Sequence, residues 1–88
     1  MHAVVTKVTI SGDPEASARE LREKVVPGVS QAPGFVAGYW TRQDNSGLSM
    51  VVFESEDAAN AAREQIPNSM PDAVSLDSIE VREVVASA

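Results

Sequence analysis

Eighty-eight residues without a cysteine make one small domain, 1–88, that no disulfide or thiolate-bound metal can staple. Thirteen acidic side chains against seven basic ones leave a net charge of -6. That balance excludes a phosphate-neutralising nucleic-acid surface and an anionic membrane as partners, while a hydrophobic content of 43% excludes disorder.

Met1-His2-Ala3-Val4 leads straight into a strand without a basic leader. No apolar run is long enough to span a bilayer, so a cytoplasmic protein without a signal peptide is the expectation. In the first ten residues Val4, Thr6, Val8 and Ile10 alternate with Val5, Lys7 and Thr9, which is strand periodicity in β-branched residues. Ser11-Gly12-Asp13-Pro14 stops that strand. Asp13 suits a helix N-cap and Pro14 the first helical position. Ala18, Leu21, Val25 and Val29 then make one helical stripe, with Glu15, Arg19, Glu20, Glu23 and Lys24 on the solvated side. Val29 keeps the stripe beyond Pro27, so the spacing predicts a helix to about Gln31 that bends at the proline.

Ala32-Pro33-Gly34 ends the helix, and a second strand follows from Phe35 to about Arg42. Gln43 to Gly47 is rich in residues that tolerate a left-handed backbone, which predicts a hairpin into a third strand, Leu48 to Glu54. Ser55, with Glu56 and Asp57 behind it, caps a second helix whose stripe is Ala59, Ala62 and Ile66 and which Pro67 closes. A loop from Asn68 to Ser75, carrying Pro71, leads to a last strand from about Leu76 to Val85. The order β-α-β-β-α-β is the α+β, ferredoxin-like arrangement with a four-stranded antiparallel sheet.

Strands two and three carry apolar residues on both faces: Phe35, Ala37 and Tyr39 against Val36, Gly38 and Trp40, and Leu48, Met50 and Val52 against Val51 and Phe53. Two helices cover only one face of such a sheet, and a wet face should alternate to polar residues. The apolar area so short a chain buries is worth about 125 kcal/mol, and ordering it costs about 130 kcal/mol. Both observations predict that a second copy covers the other face.

Pro33-Gly34-Phe35, Gly38-Tyr39-Trp40 and the stretch from Val52-Phe53-Glu54-Ser55 to Glu56-Asp57-Ala58-Ala59 together resemble the dimeric α+β barrel superfamily, in its antibiotic-biosynthesis-monooxygenase-like branch. The resemblance covers almost the whole chain. It implies a homodimer whose two sheets pack face to face, with a pocket between sheet and helices in each subunit and no cofactor. Members include cofactor-free oxygenases of polyphenols or quinols, haem-degrading enzymes, isomerases and ligand sensors. Two departures narrow the choice. The Trp-Glu pair common at the end of strand three in the oxygenases is Phe53-Glu54 here. The helix-borne histidine that ligates haem has no counterpart, since the sole histidine is His2 at the start of strand one.

The bare residues carry little catalytic chemistry. His2, one residue from the terminus, reads as frayed and exposed. No serine sits in a nucleophile elbow. Asp44-Asn45-Ser46-Gly47 lacks the later ligands of a calcium loop, and no metal site is expected. Strand three has one aromatic and no basic residue, against an RNA-binding sheet. Lys7, Glu80 and Arg82 read as ion-pair formers. The richest cluster is Tyr39, Trp40 and Arg42, with Asn45 in the adjoining turn. Trp40 and Arg42 share a face with Gly38, whose missing side chain leaves room for a planar group. Trp40 would be the platform and Arg42 the anchor of a phenolate or carboxylate. Against this stands plain packing: Trp40 as dimer filler and Arg42 paired with an acidic neighbour. Two functions follow: a cofactor-free oxygenase of a small aromatic substrate, or a non-catalytic small-molecule-binding or dimerisation module.

Overall fold

A computed structural model describes residues 1–70 and 72–88 of the chain, so Pro71 of the expected loop lies outside the described residues. β1 (His2–Ile10) leads to a helical run in three parts: α1 (Pro14–Glu20), a π-helical turn (Leu21–Val25) and α2 (Val26–Ser30). β2 (Phe35–Gln43) and β3 (Ser46–Phe53) form a hairpin; α3 (Glu56–Gln65), a 3-10 turn (Ile66–Ser69) and β4 (Val74–Glu83) complete the chain. The strands form one antiparallel sheet in the order β2-β3-β1-β4, an α+β fold of ferredoxin-like type.

The caps are those the residue types favour. Asp13 accepts from the Glu15 N–H at 3.0 Å, and Ser55 accepts from the Ala58 N–H at 3.1 Å. The helix does run through Pro27, but the adjustment to the proline is a wide turn ahead of it: the Val26 N–H donates to the Leu21 carbonyl, five residues back. Proline has no N–H to give the carbonyl of Glu23, and its ring crowds that carbonyl in a regular α-helix. The π turn accommodates both effects without breaking the element.

The strands are longer at the hairpin than the side chains suggested. Arg42 pairs with Gly47 and Gln43 with Ser46, leaving a two-residue turn in which Asp44 takes a φ of 53°. Ladder bonding uses the backbone, so polar residues there pair as well as apolar ones. The Asn45 carbonyl accepts from the Ile10 N–H at 2.7 Å, which ties the turn to β1. β4 starts and ends two residues earlier than expected: it runs from Val74, opposite Ile10, to Glu83, opposite His2, because the length of β1 sets its ladder. Pro67 sits inside the 3-10 turn that continues α3 rather than closing it.

A bulge at the start of β2 changes which side chains share a face. Phe35 pairs with Phe53 and Ala37 with Val52, so Val36 is the extra residue. Phe35 therefore joins Gly38, Trp40 and Arg42 on the helix-covered face, whereas strict alternation had put it with Ala37 and Tyr39. There it meets Phe53 edge to face, with ring centroids 6.2 Å apart and planes at 83°. Phe53, Val4 and Val51 are fully or almost fully buried beneath Ala59 of α3 and form the core. Gly34, with a φ of 80°, lets the chain enter β2 against α3; a Cβ there would stand 2.9 Å from that of Ala58.

The opposite face of the sheet divides in two. Tyr39, Leu48 and Met50 are exposed on its β2–β3 half. The β4 half is polar, with Arg82 and Glu80 paired at 2.8 Å and the Thr9 hydroxyl donating to Asp77 at 2.7 Å. Lys7 is exposed there, opposite Ser78.

Candidate functional site

Between the sheet and the α1–α2 run lies a cavity of about 540 Å³. Its floor is the inner face next to the core: Thr6, Val8 and Ile10 of β1, and Ser49 of β3, with the core residue Val51 at its edge. Trp40 and Arg42 of β2 form one flank. Ser17, Ala18, Leu21, Arg22 and Val25 face it from α1 and the π turn. Volume and apolar lining are those of a small-molecule site.

Strand pairing puts the floor in rows. Trp40 lies opposite Ser49, and Ser49 opposite Thr6, so an indole and two hydroxyls cross the sheet side by side. The next row is Arg42, Gly47 and Val8. The Thr6 hydroxyl is buried, with its residue 2% exposed, and no protein group hydrogen-bonds to it. Thr6 stands between Val4 and Val8 in an otherwise apolar face, and Ser49 between Gly47 and Val51. A hydroxyl on a buried apolar stripe was the signal for both. Ser17 contributes a further buried polar residue from α1. None of the three stood out in the sequence, where titratable groups drew the reading.

Arg42 is at the rim, and its guanidinium donates to Glu15 of α1 at 2.8 Å. The hydrogen bond from Arg42, and then its charge, hold the Glu15 carboxyl below its ordinary value of 4.5. Among the described lining residues Arg22 and Arg42 are the only ionisable side chains.

The four residues singled out in the sequence separate. Trp40 and Arg42 line the cavity. Tyr39 is on the opposite face, 67% exposed. Asn45 is in the hairpin turn, outside the lining, and its backbone carbonyl holds Ile10. The space above Gly38 is filled by Trp40 itself: a Cβ on Gly38 would stand 2.7 Å from the indole Cη2. The planar group for which the glycine leaves room is thus the neighbouring tryptophan, curled back toward Phe35.

His2 is not frayed. It pairs with Phe53 on one side and Glu83 on the other, and its side chain is 22% exposed. Its Nε2 lies 3.5 Å from a Glu56 carboxylate oxygen, at the opposite end of β1 from Ile10 and outside the cavity lining. A central strand anchors its ends through both neighbours, which terminal position alone does not reveal. Among the described residues no three His, Asp or Glu side chains gather as metal ligands, and no helix is long and apolar enough to cross a membrane.

No family model matches the chain, and no curated protein is similar to it.

Proposed function

We propose that this chain is a non-catalytic small-molecule-binding protein that takes an aromatic ligand with an anionic end in the cavity between the sheet and α1. The observation that carries the reading is the cavity lining: apolar walls, the Trp40 flank, and two arginines as the only charged groups among the described lining residues. Arg42 at the rim suits a carboxylate or phenolate, with Glu15 as the internal anion that the ligand displaces. A thermal-shift and calorimetric screen of aryl carboxylates and phenols tests it. Wild-type protein should be stabilised, and Arg42→Ala should lose most of that gain. A panel that leaves the melting temperature unchanged at millimolar concentration defeats the reading.

The antibiotic-biosynthesis-monooxygenase resemblance offers a second reading, a cofactor-free oxygenase of polyphenols or quinols. The arginines favour it to the extent that they would stabilise a phenolate, the electron-rich form that reacts with O₂. Among the described lining residues there is no base, and the nearby Glu15 stands outside the lining. Glu15 is a weakened one because Arg42 favours its ionised form. Oxygen uptake with a quinol or anthrone separates the two: turnover supports the oxygenase, binding without turnover the sensor.

Both readings include a symmetric homodimer closed through the outer sheet face, as in the dimeric α+β barrels. Tyr39, Leu48 and Met50 supply an apolar patch for it, and one self-complementary face serves both subunits. An obligate interface of this kind buries more than ~2,000 Å² in total. Light scattering at tens of micromolar should give twice the chain mass, and Met50→Glu should halve it. A single-chain mass for the wild type, with a concentration-independent melt, removes the dimer.

A further inference from the structure

Arg22 and Arg42 both line the cavity, and they differ in what already holds them. Arg42 is bound to Glu15 at 2.8 Å. The Arg22 side chain makes no hydrogen bond or salt bridge among the described residues. It is exposed and still lines the cavity, so it stands at the mouth. Glu15 and Arg22 are two helical turns apart and fall on one face of the helix, with about 10 Å between their Cα atoms. Helical side chains lean toward the N-terminus, which carries Arg22 back toward Glu15. Arg19 stands one turn from each on the same face. The Glu15 carboxyl feels all three charges, that of Arg42 most and then those of Arg22 and Arg19. Three of the seven basic residues of an acidic chain thus gather round one carboxylate, which can offset only one of them. Glu20, on the same helix, is taken by Lys24 at 3.7 Å.

We propose that the anionic end of the cavity's ligand is a dianion, a phosphate monoester, received between Arg42 and Arg22. This rests on the ligand-binding reading above and adds to it the charge of the head group and the residue that selects it. A monoanion at Arg42 displaces Glu15 and leaves the Arg22 charge unopposed. A monoanion at Arg22 leaves the Arg42–Glu15 pair as it stands. A phosphate monoester carries close to two negative charges and three acceptor oxygens, enough for both guanidinium groups. Its apolar body then enters among Val8, Leu21 and Val25.

The test is calorimetric titration at pH 8 with 2-naphthyl phosphate and 2-naphthyl sulfate, which share a ring and a tetrahedral anion and differ in charge. Wild type should bind the phosphate about fivefold more tightly, the effect of one further exposed ion pair. Arg22→Lys should keep the preference and Arg22→Gln should bind the two ligands alike. Arg63→Gln removes a charge from α3, outside the lining, and should leave the preference intact. At pH 5 the preference should vanish in the wild type, because the phosphate loses its second charge at about pH 6. The lining arginines keep their charge at that pH, Glu15 is held below 4.5, and His2 lies outside the lining. A wild type without preference at pH 8, a preference that survives in Arg22→Gln or at pH 5, or one lost equally in Arg63→Gln overturns the inference and leaves the binding reading standing. Failure of both ligands to bind any of these proteins overturns both.

Discussion

The helical layer treats the two ends of the sheet differently. α3 sits close: Ala58, Ala59, Ala61 and Ala62 keep its side chains short, Ala59 is fully buried, and Phe53, Val4 and Val51 are sealed beneath it. The α1–α2 run covers the same face with longer side chains, Leu21, Val25 and Val29, which are only partly buried around a cavity. The difference lies in side-chain size and in the π turn, whose residues Leu21, Arg22 and Val25 all face the cavity. One end of the sheet holds the fold together. The other end leaves a cavity, where substitutions should be felt less in stability.

The sharpest way to break this comparison is to truncate one residue at each end. Phe53→Ala removes a fully buried ring and should cost about 3–5 kcal/mol in urea denaturation. Leu21→Ala, beside space that already exists, should cost about 1 kcal/mol. Equal losses would mean that the cavity end is as tightly packed as the core.

Filling the cavity sharpens it from the other side. Ala18→Phe directs a ring into the space from α1 and should raise stability by about 1 kcal/mol, while the thermal shift by aryl carboxylates disappears. A stabilised variant that still binds would place the ligand elsewhere.

The smallest effect is expected at the rim. The Glu15 carboxyl is held below 4.5 by Arg42, so its folded form gives up its negative charge less readily than the unfolded chain does. The stabilisation from the pair is therefore present above about pH 4.5 and is lost as pH falls through the lowered folded value. Both side chains are substantially exposed, so the loss is small. Glu15→Gln should flatten this acid limb in melting curves taken from pH 6 to pH 3. It should also tighten aryl carboxylates several-fold near neutral pH, because Arg42 no longer has an internal anion to release.

Local chemistry made much of this legible before any coordinates. Asp13 and Ser55 cap the helices because their side chains accept from backbone N–H groups within three residues. The stripe from Ala18 to Val29 and the alternation in β1 announce a helix and a strand because each period comes from the geometry of a single element. Arg42 and Trp40 stood out because large or charged side chains on a strand demand an explanation. Their partners did not. Glu15 is 27 residues from Arg42, and nothing in either segment points to the other.

From the residues alone came the element order, the caps, an apolar pattern on both faces of the β2–β3 hairpin, and a net charge of -6. Each depends on composition or on neighbours within a few positions. The tertiary structure decided what depends on distance across the chain. The bulge at Val36 moved Phe35 to the core side, and the β1 ladder anchored His2 at the end of the sheet. Strand order brought Thr6, Ser49 and Trp40 into one row. A hydroxyl in a strand is unremarkable until the fold has buried it, because only the surrounding elements determine whether it finds a partner.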